Sequence, residues 1–158
     1  MSKGYPSPTA ALAAIVECLA STCDRVHVGS IGSGQSLECC PGCLLRVETA
    51  GLRVPDGQAR SLAMLTRCQT MILDVVLNYR QCFTEFRQDG AKVRPIADLT
   101  ADGTALLQTW WDTLKKLACC APLNQNVRFV SIADSAPEGG CAGWTMVLEV
   151  DVSVCACE

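Results

Sequence analysis

Apolar and polar residues alternate most strictly near the end of the chain, in residues 139–158. From Trp144 onward, every second position is apolar. The apolar row comprises Trp144, Met146, Leu148, Val150, Val152 and Val154, and the polar row comprises Thr145, Glu149, Asp151 and Ser153. A period of two predicts a half-buried strand with one face against a core.

A second alternating segment occupies residues 68–83. Its apolar row is Met71, Leu73, Val75, Leu77 and Tyr79, and its polar row includes Asp74, Asn78 and Arg80. This pattern predicts a second strand, long for a domain of this size. A strand that extends beyond the core of its own subunit indicates a partner chain.

Two segments have helical periodicity instead. Ser7 and Pro8 form a typical helix start, and the apolar stripe Leu12, Ile15, Val16 and Leu19 predicts a helix that ends within residues 21–24. The second helix follows a polar loop at 84–98, with Thr100 or Thr104 as its cap. Its predicted inward stripe is Leu107, Trp110, Trp111, Leu114, Leu117 and Ala118.

Shorter strands are predicted at 25–28, 44–49 and 127–132, and turns at 55–57 and 134–140. The order of elements predicts one α+β domain over residues 1–158, in which two amphipathic helices pack on one face of a mainly antiparallel sheet. A Gly/Cys-rich loop covers 29–43. The predicted core includes Leu107, Trp110, Leu114, Trp144, Met146 and Leu148.

Composition excludes several classes of protein. The chain has 158 residues, 49% hydrophobic and 18% charged, so it can bury a core and intrinsic disorder is not expected. A net charge of -3 without a basic stripe argues against nucleic-acid binding. Glu17 interrupts the apolar run near the start of the chain, so we expect no membrane segment or signal peptide and a protein retained in the cytoplasm.

Twelve cysteines are the least ordinary feature of the composition. Cys40 and Cys43 have the spacing of a zinc or dithiol pair, and Cys155 with Cys157, or Cys119 with Cys120, could supply further zinc ligands. Neither added pair has zinc-knuckle spacing. Buried thiols or a stabilising disulfide explain the motif more simply, so we expect neither a metal nor a cofactor.

The remaining candidates for chemistry are weak. His27 is the only histidine, and it lies between two valines in a predicted strand, where a packed side chain is more common than a catalytic one. The glycine-rich loop at 29–34 lacks the following helix and the Lys-Ser/Thr pair of a phosphate loop. Glu149 and Asp151 share a strand face, which fits a solvated or intersubunit row. We therefore do not expect an enzyme.

Three motifs in sequence order resemble those of tail-terminator and related head-to-tail neck proteins of long-tailed phages, particularly phages of actinobacteria. They are the polar lead-in at 96–103, the Trp-Trp-Asp-Thr-Leu segment at 110–114, and Gly-Gly-Cys-Ala-Gly-Trp at 139–144. The resemblance covers most of the chain from about residue 65 and, more loosely, the first helix. The abundance of cysteine departs from the family pattern.

The resemblance implies a small structural protein of the virion, assembled in the host cytoplasm. Its subunits form a ring, a hexamer, that terminates the tail tube and contacts the connector on the head side, with DNA only as passing cargo and no membrane contact. Glu149, Asp151, Asn78 and Arg80 are then candidates for a channel or subunit contact. The alternatives are a neighbouring stopper or adaptor protein, or a small zinc- or thiol-dependent cytoplasmic protein centred on Cys40 and Cys43.

Overall fold

A computed structural model of the protein describes residues 4–29, 42–63, 67–82, 96–123, 126–138 and 141–155. Two helices and five strands lie within these ranges. In chain order they are α1 (Pro8–Leu19), β1 (Val26–Gly29), β2 (Cys43–Arg53), β3 (Gln69–Cys82), α2 (Ile96–Ala118), β4 (Val127–Glu138) and β5 (Cys141–Val154).

The five strands form one sheet in the order β1-β2-β3-β5-β4. Only the β1–β2 pair is parallel, and the other three pairs are antiparallel. β3 and β5 pair over their whole lengths, from Gln69 opposite Val154 to Cys82 opposite Cys141. The α+β class and the mainly antiparallel sheet are thus as predicted.

The core lies between one face of the sheet and the two helices. Alternate residues of β3 and β5 are buried, in keeping with their period-two pattern. The fully buried side chains of largest volume include Ile15 and Leu19 from α1 and Trp144, Met146 and Leu148 from β5. Trp110 and Leu114 of α2 are partly buried and pack against this cluster.

α1 begins as the sequence predicts. Ser7 is its N-cap, and the Ser7 hydroxyl accepts a hydrogen bond of 3.2 Å from the backbone N–H of Ala10. Pro8 occupies the first turn, where its missing N–H costs nothing. The helix ends at Leu19 with Ala20 as C-cap, slightly earlier than predicted.

α2 differs from the prediction in both its start and its inward face. It begins at Ile96, so Thr100 and Thr104 lie inside the helix and do not cap it. Leu107 and Trp111, expected in the core, are 53% and 60% exposed. The inward face instead carries Thr113, which is fully buried. Its hydroxyl donates to the Thr109 carbonyl at 2.8 Å, so burial leaves no unsatisfied polar group there. A stripe read from apolar residues alone misses this position.

Several strands are longer than predicted. β2 continues to Arg53 through an irregularity between Thr49 and Gly51, and β4 continues to Glu138 through two others, so residues 134–138 are strand and not turn. Gly29 and Cys43, assigned to a loop, belong to β1 and β2. Residues 30–41 of that loop and residues 84–95 of the polar loop lie outside the described residues.

Candidate interaction surfaces

The sheet face opposite the helices carries the polar rows of β3 and β5. We call this face the outer face. Asn78, Arg80, Glu149 and Asp151, the four candidates for a channel or subunit contact, all lie on it and are partly buried. The Thr145 hydroxyl donates to Asn78 Oδ1 at 2.9 Å, so one part of the row is already hydrogen-bonded across strands.

Five charged side chains form a network across β2, β3, β5 and β4 on the outer face. Arg53 donates from Nε to Asp74 Oδ2 at 3.0 Å and from Nη2 to Glu149. Arg128 donates from Nε to Glu149 Oε2 at 3.2 Å and from Nη1 to Asp151 Oδ2 at 2.7 Å. Glu149 therefore joins the two arginines. Both carboxylates of the polar row of β5 are thus ion-paired within the subunit, without a second chain.

The electrostatics of the network follow from these contacts. The hydrogen bond to Asp74 is the main cause that raises the pKa of Arg53, and the hydrogen bond to Asp151 is the main cause for Arg128. Both guanidinium groups stay protonated. Because both are 43% exposed, solvent screens the pairs, and the network fixes side-chain positions more than it stabilises the fold.

α2 presents an apolar ridge made by Leu107 and Trp111. The two residues are four positions apart and so lie on the same side of the helix. Each is more than half exposed, whereas the neighbouring Leu106 and Trp110 pack against the core. The sequence pattern identified these two residues as apolar and placed them on the wrong side.

β4 is an edge strand of the sheet and carries a second exposed apolar site. Phe129 and Val130 are 50% and 51% exposed, and they lie at the register shift between Phe129 and Ser131. Ile132, farther along the strand, packs against the core. Sequence periodicity could not find this site, because the position of β4 at an edge depends on the order of the strands.

Of the cysteines proposed as metal ligands, Cys43, Cys120 and Cys155 are disulfide-bonded and Cys119 is free. Cys43 is bonded to Cys23, and Cys155 is bonded to Cys68. Neither offers a thiolate to zinc while the bond is intact. Cys40 and Cys157 lie outside the described residues. Within the described part of the chain, no group of three or more His, Cys, Asp or Glu residues could hold a metal ion.

Other cysteines are also bonded. Cys18 of α1 is joined to Cys120, and both Cys82 and Cys141 are disulfide-bonded. Cys119 is free and exposed. Zinc ligation needs reduced sulfur, which the bonded cysteines do not offer while their bridges are intact.

The remaining candidates are placed as follows. His27 lies in the middle of β1 and faces Arg46 of β2 in the parallel register. Residues 30–34 of the glycine-rich loop lie outside the described part. Neither described helix is long and apolar enough to cross a membrane.

The chain was compared with known families and proteins. No family model and no curated protein matches it.

Proposed function

We propose that this protein is a structural, ring-forming subunit at the head-to-tail junction of a long-tailed phage, where it terminates the tail tube and joins it to the connector. The observation that carries the proposal is the apolar surface on α2 and β4. Four large apolar side chains are each 50% or more exposed: Leu107, Trp111, Phe129 and Val130. Contact with a neighbouring subunit would remove this apolar surface from water.

The edge position of β4 supports contact with another chain. The outward backbone groups of an edge strand can pair with a neighbour, and large apolar side chains at such an edge favour that pairing. Phe129 and Val130 provide these side chains. β4 is therefore one candidate half of a subunit interface.

The α2 ridge supports the other half. Tryptophan is enriched at the energetic centres of protein interfaces, and Trp111 is 60% exposed in the single chain. The ridge and the β4 edge belong to two different elements, and a contact between unlike surfaces of successive subunits closes into a ring when the rotation allows. We expect the α2 ridge of one subunit to meet the β4 edge of the next.

The net charge and the paired arginines are consistent with DNA that passes through the ring without being bound. The formal net charge is -3, and the arginines at positions 53 and 128 are engaged by carboxylates of the same chain. A surface that binds phosphates tightly would need free basic groups. A ring through which DNA moves without being held is consistent with the paired arrangement.

Native mass spectrometry of the purified chain tests the ring. We expect a closed oligomer, a hexamer. We expect Trp111→Ser and Phe129→Ser to shift this oligomer to monomers. The variant monomers should melt at the same temperature as wild-type chain measured as a monomer. Leu62→Ser is the matched control, because Leu62 is 80% exposed but lies on neither α2 nor β4. A stable wild-type monomer with one metal per chain would support the zinc alternative instead.

A mixing experiment separates the terminator from the stopper or adaptor. Purified tail-tube protein is allowed to polymerise with and without this chain, and the ends are viewed by electron microscopy. A terminator caps the tubes and limits their length. If tubes lengthen unchecked while the chain still forms rings, the stopper or adaptor function is favoured.

A further inference from the structure

The three disulfides between described residues lie at the ends of elements. Cys18 of α1 is bonded to Cys120, just after α2, so one bridge joins the two helices. Cys23, after α1, is bonded to Cys43, the first residue of β2. The third bridge, Cys68–Cys155, is adjacent to the pair Gln69 and Val154, where β3 and β5 meet.

The elements that these bridges join already have other contacts. β3 and β5 pair along their full lengths, and both helices contribute buried apolar residues to one cluster on the sheet. A chain of this length buries enough surface to fold on its core. In small secreted scaffolds, by contrast, disulfides replace a core that is too small.

We propose that the disulfides are a lock added after folding: the chain folds with its cysteines reduced, and later oxidation fixes the helices and the strand ends in place. This step goes beyond the proposed function and does not depend on it. If the proposed function holds, assembly takes place in a reducing cytoplasm, and the bridges form when the particle leaves the cell.

The chemistry needs a small-molecule disulfide, such as oxidised glutathione, as oxidant. One cysteine thiolate attacks a sulfur of the oxidant, which gives a mixed disulfide and releases one small thiol. The second cysteine thiolate then displaces the second small thiol and closes the bridge. Two protein thiols are oxidised, one small disulfide is reduced to two thiols, and the two protein protons pass to those thiols.

Burial of the sulfur-bearing residues sets an order among the bridges. Each bridge has one half-buried cysteine, which is Cys18, Cys43 or Cys155. The other cysteine is 4% exposed at Cys120 and 7% exposed at Cys23, whereas Cys68 is exposed. Thiol–disulfide exchange requires access to a sulfur atom. Among these three bridges, Cys68–Cys155 therefore forms and opens first in the folded protein, and the other two resist small reductants once closed.

The test compares the oxidised chain with chain that was unfolded, fully reduced and refolded in reductant. We expect both forms to have the same far-ultraviolet circular dichroism and the same oligomeric state. We expect the reduced form to melt lower, on the order of 10 °C for each bridge. Mild reductant is applied to the native oxidised form, followed by alkylation and peptide mapping. Cys119 is labelled without reductant, and Cys68 and Cys155 should be labelled before the cysteines of the other two bridges.

Two results would overturn the proposal. A reduced chain without secondary structure would show that the bridges are needed for folding, and equal melting temperatures would show that they do not act as a lock. Cys119→Ser is the matched control, because Cys119 is free and its replacement should change neither form. In reductant, a Cys68→Ser/Cys155→Ser double variant should melt at the same temperature as wild type. When oxidised, it should melt lower than oxidised wild type only by the contribution of that one bridge.

The two proposals fail separately. Native mass measurement without rings would remove the proposed function and leave the melting comparison unaffected. Rings that form only from the oxidised chain would overturn the lock, because folding and assembly would then require the bridges.

Discussion

Trp144 shows how a single residue connects the local pattern to the core. It is fully buried and stacks on Tyr79, with ring centroids 5.2 Å apart. The two residues face each other across β3 and β5 in the register. Burial raises the pKa of Tyr79, and its hydroxyl donates to Gln81 Oε1 at 3.1 Å.

Trp144→Ala should lower the free energy of unfolding by about 3 to 5 kcal/mol, because it leaves a cavity in the core. Denaturant titration of the oxidised protein measures the change. Trp144→Phe should cost less, since the indole N–H has no hydrogen-bond partner among the described residues. Leu62→Ala, at an exposed site, should stay within about 0.5 kcal/mol of wild type. An equally small change for Trp144→Ala would place the ring outside the core.

Gly143 has a steric role that the motif alone does not reveal. A methyl group at this position would overlap the backbone carbonyl of Tyr79, so β3 and β5 approach too closely for any side chain. The glycine before Trp144, part of the Gly-Gly-Cys-Ala-Gly-Trp segment, is thus required by the fold itself.

Gly143→Ala should destabilise the protein by about 3 kcal/mol, since the backbone must move to admit the methyl group. Thermal unfolding measures the loss. Gly51→Ala is the control within β2, because nothing lies within 4 Å of a methyl group there. Similar melting temperatures for the two variants would contradict the steric explanation.

At the scale of elements, α1, β3 and β5 could be predicted because residues within each element determine it. A cap, a proline and a stripe define α1, and strict alternation defines β3 and β5. The face of α2 was not predictable, because buried Thr113 is satisfied inside its own helix and so does not follow the apolar pattern. The end of β4 was hidden by residues that resemble a turn but pair irregularly with β5.

Ser7→Ala tests the start of α1. The change removes the hydrogen bond to the Ala10 N–H, and we expect it to lower stability by about 1 kcal/mol. Denaturant unfolding gives the value. Ser21→Ala, at an exposed position after the helix, should change stability by less than about 0.5 kcal/mol. A larger loss for Ser21→Ala than for Ser7→Ala would rule out the cap as the source.

At the scale of the whole molecule, the contacts that define the candidate surfaces join distant parts of the sequence. The pairing of Arg53 with Glu149 and the bridge from Cys18 to Cys120 both depend on the order of the strands and helices. A local sequence pattern does not show which carboxylate pairs with Arg53 or which cysteine bonds to Cys18, because cysteine connectivity cannot be deduced from spacing. The sequence therefore located the polar row of β5 and not the arginines that pair with its carboxylates.

The position of β5 between β3 and β4 has a consequence for synthesis. β5 is the last described strand in the chain, yet β4 is joined to the rest of the sheet only through it. During translation, β1, β2 and β3 can pair as they emerge, but β4 has no hydrogen-bonded strand until β5 has been made. The sheet is then completed only once Val154 has left the ribosome, and a nascent chain that stops before β5 cannot form the core around Trp144.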